Sequence, residues 1–217
     1  MELIDLLFLL VLALTLVQRF VESISSRTNQ AILSQRGFAI REPKSHRSTI
    51  KLLQVMWVIS MLIEWHFQII PVPFWLRCLA LCAFIVAQVL RIWTLKSLGE
   101  HWSIEVFAPE KEDTPSLGPL TEAAMISGKT SRVEKGLREN LFVENGAYKF
   151  VRHPNMLAQI IEIAALPLCG GAALTGLIFS ILNNHILNKH IDLEESWLFS
   201  RPGYHELFYH KSRFIPF

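Results

Sequence analysis

The sequence predicts an all-α, polytopic membrane protein of about five transmembrane helices. Three observations carry that expectation. Of 217 residues, 51% are hydrophobic, slightly above the roughly 45–50% of an ordinary soluble domain, and the excess is gathered in blocks. Turns rich in Pro or Gly alternate with polar, basic connections between those blocks. Lys and Arg, finally, avoid every second connection, which is the charge asymmetry of a chain threading a bilayer.

The first apolar run, Leu6 to Val17 within a helix from about Leu3, follows Glu2 and Asp5 rather than a basic segment, and no small-residue cleavage site comes after it. It therefore reads as a retained membrane helix rather than a signal peptide. Past Arg19 the chain is expected to enter the aqueous boundary. From Gln18 to Lys51 it is polar and basic, with Phe20, Ile24, Ala31 and Ile32 interspersed, so an amphipathic surface helix ending near Gly37 is expected.

Leu52 to Ile70 is the second span and carries Glu64; Pro71-Val72-Pro73 closes it, because proline cannot continue a helix. Phe74 to Leu95 is the third, with Gln88 and Arg91 toward its end. A long loop, residues 96–144, follows; its middle, Pro109 to Asn140, lacks any sustained apolar period and is expected to be irregular. Asn155 to Leu168 and Leu174 to Leu187 are the fourth and fifth spans, joined by a turn at Cys169-Gly170-Gly171-Ala172. Both are shorter than the roughly 20 residues of a full span, so the pair either crosses thinly or stops near the midplane. Residues 188–217 read as an aqueous helix and tail with Trp197, Phe199, Tyr204 and Phe208 as interface anchors. The whole chain is one domain, 1–217, with residues 145–217 as its ligand-binding half.

The turns after the second and fourth spans carry no Lys or Arg. The positive-inside rule then puts the N-terminus outside and the long loop and C-terminus in the cytoplasm. A net charge of +2 gives no reason to expect a nucleic-acid partner. Cys78, Cys82 and Cys169 form no CxxC, so they read as small buried hydrophobes, and neither a disulfide framework nor a metal site is expected.

The chain is organised around Gly146-Ala147-Tyr148-Lys149-Phe150-Val151-Arg152-His153-Pro154-Asn155, a polar hinge running into an apolar helix. Arg152, Asn155, Gln159 and Glu162 follow at helical spacing and share one face, a polar stripe that in a membrane usually marks a site. Because a short turn joins spans four and five, their cytoplasmic ends must be neighbours. Tyr148, Arg152 and His153 then face His190, Asp192, Glu194 and Glu195, with Tyr204, Tyr209 and Arg213 from the tail. This mixed-charge mouth suits a zwitterion such as S-adenosylmethionine: Arg152 or His153 for its carboxylate, Glu194 for its ammonium or ribose. His153 or His190 is the candidate base for an enol or phenol acceptor. In the inner half of the bilayer, Arg91 and Glu162 are expected to pair or to line one polar cavity that, with Gln159 and His190, receives the acceptor.

The hinge motif, followed by an apolar helix, Glu194-Glu195, Gly203, Tyr209 and the ending Arg213-Phe214-Ile215-Pro216, resembles the isoprenylcysteine carboxyl methyltransferase family of integral membrane enzymes. Leu90-Arg91-Ile92-Trp93 with Leu98-Gly99 and Trp102 is similar to that family's helix before the long loop. Arg19, Glu22, Asn29, Gly37, His46 and Glu64, with Ile161 to Leu168, resemble a bacterial branch that O-methylates alkylpyrones and alkylresorcinols beside type III polyketide synthases. The resemblance implies S-adenosylmethionine bound by Tyr148, His153, Pro154, Asn155, Met156 and Glu194, and a lipophilic acceptor entering from the membrane lipids. Two positions depart from it: Met156 stands where the family usually has Tyr, and His190 where Arg is common. Within the 96–144 loop, the stretch from Ile104 to Val143 also looks longer than the family's connection, as a lid or a docking insertion for a polyketide synthase or other partner. The rivals are phospholipid N-methylation, an NADPH-dependent sterol or enoyl reductase, and a non-catalytic lipid-binding protein. The reductases resemble this chain around Arg-His-Pro-Asn but continue with Tyr and Gly-Glu, where Met156-Leu157-Ala158-Gln159 stands here.

Overall fold

The computed structural model describes residues 3–35, 38–40, 42–104, 107–109, 143–199 and 204–215. The described residues are mostly helical, with one short ribbon and extended or turn segments between helices and at the C-terminal end. Its elements are α1 (Leu3–Gln35), β1 (Phe38–Ile40), α2 (Lys44–Phe67), α3 (Phe74–Leu98), β2 (Phe107–Pro109), α4 (Pro154–Gly170), α5 (Ala173–Leu198) and α6 (Tyr204–Phe208). Three-residue and four-residue 3₁₀ turns sit at Gly99–His101 and Gly146–Lys149. The ribbon pairs β1 antiparallel to β2, with Ala39 opposite Ala108.

This is an integral, all-α membrane protein: α1, α2 and α3 are each long and apolar enough to cross a bilayer. α1 departs from the expected membrane helix that passes Arg19 into the aqueous boundary and is followed by a separate surface helix. It runs unbroken for 33 residues, absorbing the separate surface helix. The reason lies in its buried stripe: Ile4, Phe8, Leu12 and Thr15 continue in register as Glu22, Ser26 and Leu33. The inward face changes from apolar to polar without changing direction, and no Pro or Gly interrupts it before Gly37, which lies outside the described residues. α5 likewise continues 26 residues to Leu198 and does not stop at Leu187.

The core joins all five long helices through Phe8 and Leu12, Trp57 and Met61, Ala80 and Phe84, Ile163 and Leu166, and Phe179. Trp57 satisfies its buried indole by donating to the Ile163 carbonyl at 3.3 Å. Gly170 is required by packing, since a Cβ there would come within 2.7 Å of the Phe8 ring. Outward-facing Leu10, Leu14, Val55, Ile59, Val86 and Val89 are exposed, as lipid-facing side chains should be. Cys82 belongs to that exposed set and Cys78 is half-buried, so only Cys169 is the buried hydrophobe expected of all three.

The α4–α5 hairpin reaches the far ends of the other helices. Its tip turns at Gly171, in the left-handed region with φ of 84°. There Arg77 of α3 donates to the Cys169 carbonyl at 2.9 Å and to Asp5 of α1 at 2.6 Å. Glu64 of α2, left without a role by the sequence, accepts from the Leu174 and Thr175 amides at 2.8 and 2.7 Å. A cation thus caps the carbonyl end of α4 and an anion the amide end of α5, each matched to the helix dipole and to orphan backbone groups. α4 covers that distance with 17 residues, about 25 Å at about 1.5 Å per residue.

Candidate active site

At the opposite end, the hinge motif is pressed onto α3. Gly146 has φ of 65°, and a Cβ there would collide with Ser97 Oγ. Only glycine fits both the turn and the approach. The 3₁₀ turn that follows carries Tyr148, and the chain then extends through Val151 and His153 before Pro154 opens α4 at its first turn, where a missing N–H costs nothing. The extended stretch is held by the C-terminal segment: the Arg152 and His153 amides donate to the Ser212 and Arg213 carbonyls at 3.0 and 3.1 Å. Lys211 donates to the Tyr148 carbonyl at 3.0 Å.

Three segments distant in sequence therefore meet around one carboxylate. Glu195, buried near the end of α5, lies 3.0 Å from His153 Nε2 and 3.0 Å from Arg152 Nη1. Arg213 donates to its other oxygen at 2.6 Å and to Asp192 at 2.9 Å. Burial alone would raise the Glu195 carboxyl, but hydrogen bonds from His153 and Arg213 and the charges of His153 and Arg152 outweigh it and bring it from 4.5 to about 2. Glu195 is thus the ionised hub of the cluster and accepts from His153 Nε2–H; whenever that ring is neutral, the bond keeps its proton on Nε2 and its lone pair on Nδ1. Nδ1 faces Glu194 at 3.6 Å, beyond hydrogen-bond length. Glu194 is the more open of the two glutamates, its side chain 37% exposed. The Tyr148 and Tyr204 hydroxyls lie in its field. Burial raises both, and the charge of Glu194 lifts them further above the ordinary tyrosine range.

Two polar atoms in this mouth are buried without a hydrogen-bond partner among the described residues: Asn155 Oδ1 and Arg152 Nε. An aromatic clasp closes the outer side. Arg152 lies over the Phe199 ring at 5.4 Å, Phe199 meets Tyr204 edge-on at 5.1 Å, and Tyr204 stacks on Phe208 at 4.5 Å. Tyr204 and Phe208 are buried in that clasp, which corrects their reading as interface anchors. Gly203 and Pro216 of the motif lie outside the described residues, as does most of the 96–144 loop.

Deeper in the bundle, Arg91 and Glu162 do meet, at 3.7 Å between Nη1 and Oε2, but neither is the other's main partner. Arg91 donates twice to Glu22 of α1, at 2.7 Å each, and Arg19 of α1 donates to Glu162 at 2.7 Å. The unbroken inward face of α1 delivers Arg19 and Glu22 to the bundle, so sequence reasoning missed the four-charge arrangement when it assigned this stretch to the aqueous boundary. The signal present was the Arg19–Glu22 spacing on the same face as Phe8 and Leu12. Arg91 Nη1, Glu162 Oε2 and both polar atoms of the Gln88 amide are buried and lack hydrogen-bond partners among the described residues.

The remaining expected positions are dispersed. Gln159 donates to Asn183 of α5 at 3.0 Å, a helix-to-helix tie. Pro154 is buried at the head of α4, with Met156 half-buried one residue past Asn155. The His190 ring is turned toward Glu42, with Nδ1 at 3.3 Å from its carboxylate. Burial would lower its imidazole, but the bond to Glu42 and the nearby Glu194 and Glu42 charges raise it above its ordinary value.

Comparison with known proteins gives three findings. The sequence model of the isoprenylcysteine carboxyl methyltransferase (ICMT) family matches residues 127–200, a span containing the hinge motif, α4 and α5. The uncharacterized protein YpbQ of Bacillus subtilis (strain 168) is 29% identical over 195 residues, covering 88% of this chain and 96% of that one. The solved structure of a eukaryotic intramembrane Ras methyltransferase ICMT superposes with a TM-score of 0.52 at 20% identity, over 82% of this chain. The chain spans 55% of that protein's length, and the likeness at this identity is one of fold.

Proposed function

Residues 127–200 belong to the isoprenylcysteine carboxyl methyltransferase family, and from that premise we propose that the protein is an S-adenosylmethionine-dependent methyltransferase acting on an oxygen of a lipophilic acceptor. The observation that carries the reading is the meeting of Glu194, His153, Tyr148, Arg152 and Asn155 at the mouth of α4 and α5. The groups present fit the cofactor. Glu194, held by no close hydrogen bond from His153, suits an ammonium or a ribose hydroxyl. The buried Asn155 Oδ1 accepts one more hydrogen bond, and Arg152 Nε has one left to donate to a carboxylate. When bound, the cofactor supplies a methyl group on a sulfonium.

The chain's own part is to align and to exclude water. Glu195 fixes the His153 tautomer, Arg213 and Arg152 fix Glu195, and the aromatic clasp shields the cluster. Arg91, Glu162 and Gln88, each with a buried polar atom that makes no hydrogen bond among the described residues, receive the polar head of the acceptor from the bilayer side. An acidic enol or a carboxylate arrives as an anion and needs no base; a phenol would give its proton to His153 Nδ1. His190, turned toward Glu42, takes no part. Among acceptors, an alkylpyrone or alkylresorcinol hydroxyl and a prenylcysteine carboxylate satisfy these groups equally. The site end of the bundle faces the cytoplasm, with the α4–α5 tip outside, in keeping with the Lys and Arg distribution.

The test is cofactor binding by calorimetry on the purified full chain. The protein should bind S-adenosylmethionine and not NADPH, and Glu194→Gln should weaken binding at least tenfold. Binding of NADPH instead, or wild-type affinity in Glu194→Gln, would sink the reading. Comparing lipid extracts of cells with and without the protein for a mass gain of one methyl would then identify the acceptor.

A further inference from the structure

A second cluster of titratable side chains lies outside the site just described. Glu42, immediately before α2, is 5% exposed. His46 lies one turn into α2, and His190 comes from α5. One carboxylate oxygen, Glu42 Oε1, faces both rings: His46 Nε2 at 3.4 Å and His190 Nδ1 at 3.3 Å. The rings stack with centroids 6.1 Å apart and planes 19° from parallel.

These distances are poor as ion pairs. A charge-assisted N–H···O bond closes to about 2.7–2.9 Å, and both contacts are longer. His46 Nε2 is buried and makes no hydrogen bond among the described residues. The same distances are natural as edges of a coordination polyhedron. Two nitrogens or oxygens each about 2.0–2.1 Å from a tetrahedral metal stand about 3.3–3.4 Å apart. All three ligand atoms already lie within 4.8 Å of one another, so a small rotation of one ring closes the third edge.

We propose that Glu42, His46 and His190 form a mononuclear site for a divalent transition metal of the zinc class. Two imidazoles and one carboxylate are a borderline donor set that suits Zn²⁺ or Co²⁺; Mg²⁺ and Ca²⁺ favour all-oxygen shells, and Cu⁺ favours sulfur. The fourth position opens toward a cleft of about 620 Å³ lined by His46, Ser45, Thr49, Lys189 and Asp192, which gives water and the ion a path in. The metal ties the head of α2 to α5, one turn before Glu194, and its role is independent of the proposed methyl transfer. Spacing in the sequence gave no hint of it, because residues 42, 46 and 190 share no local motif.

The experiment uses the full chain purified without a polyhistidine tag, stripped with a chelator, and supplied with Zn²⁺ or Co²⁺ alone. One metal per chain should survive desalting by elemental analysis, and Co²⁺ should give visible d–d bands. His46→Ala and Glu42→Gln should each weaken uptake at least a hundredfold, whereas His66→Ala, at an exposed histidine on the same helix, should leave it unchanged. His46→Cys keeps a ligand in place and guards against misfolding of the alanine variant; with Co²⁺ it should add a thiolate charge-transfer band in the near ultraviolet. Substoichiometric uptake by wild type, uptake retained in Glu42→Gln and His46→Ala, or no charge-transfer band in folded His46→Cys would each overturn the proposal.

Discussion

Glu195→Gln removes one negative charge and little volume from the hub that joins the hinge, α5 and the C-terminal segment. A carboxyl brought from 4.5 to about 2 corresponds, at about 1.4 kcal/mol per pH unit, to about 3 kcal/mol of folded-state stabilisation at neutral pH. Arg213, its shortest partner, has a side chain 35% exposed, so water screens part of this and about 2 kcal/mol is the expected loss. For a chain of this size that lowers the melting temperature by roughly 4–8 °C. The sign follows from the depressed value: the contribution is fully present above about 4.5 and fades as pH falls toward about 2. At pH 3 less than half should remain, so the gap between wild type and variant must narrow on acidification. Thermal unfolding of both proteins in one detergent at pH 7 and pH 3 measures this. A variant that melts with wild type at pH 7, or a gap that is constant or wider at pH 3, refutes the account of Glu195 as an ionised hub.

Glu64→Leu should strip two buried amides of α5 of their acceptor and lower stability by about 2–4 kcal/mol, with Glu64→Gln losing about half as much; equal melting temperatures for all three proteins would dismiss the cap. Arg91→Leu should be severe and should be rescued better by Glu22→Gln than by Glu162→Gln, because its two 2.7 Å bonds go to Glu22; a double-mutant cycle on unfolding free energy reads the coupling, and a larger coupling to Glu162 reverses the assignment. Gly146→Ala should cost about 1–3 kcal/mol from its positive φ alone, with added strain against Ser97, and Ser97→Gly should relieve only the second part; complete rescue would show that φ contributes nothing.

Hydropathy blocks and turn residues determined the apolar stretch of each of the five long helices, the far-side turns within 71–73 and 169–172, and the end of the bundle where charge would collect. Those depend on local composition, and lipid enforces them, because a spanning segment must satisfy its own backbone. The hinge motif determined that Tyr148, Arg152 and His153 would meet the glutamates of α5, since a short hairpin leaves its two ends no other place. Which glutamate does what was decided by tertiary structure alone. Glu194 and Glu195 are adjacent and chemically identical, and only the return of Arg213 buries one and leaves the other open. The same holds for Glu64, for the partners of Arg91 and for the meeting of Glu42 with His46 and His190. A charge in a membrane protein takes whatever partner packing brings within a few ångströms, and that partner lies 69 to 148 residues away along the chain in several of these contacts.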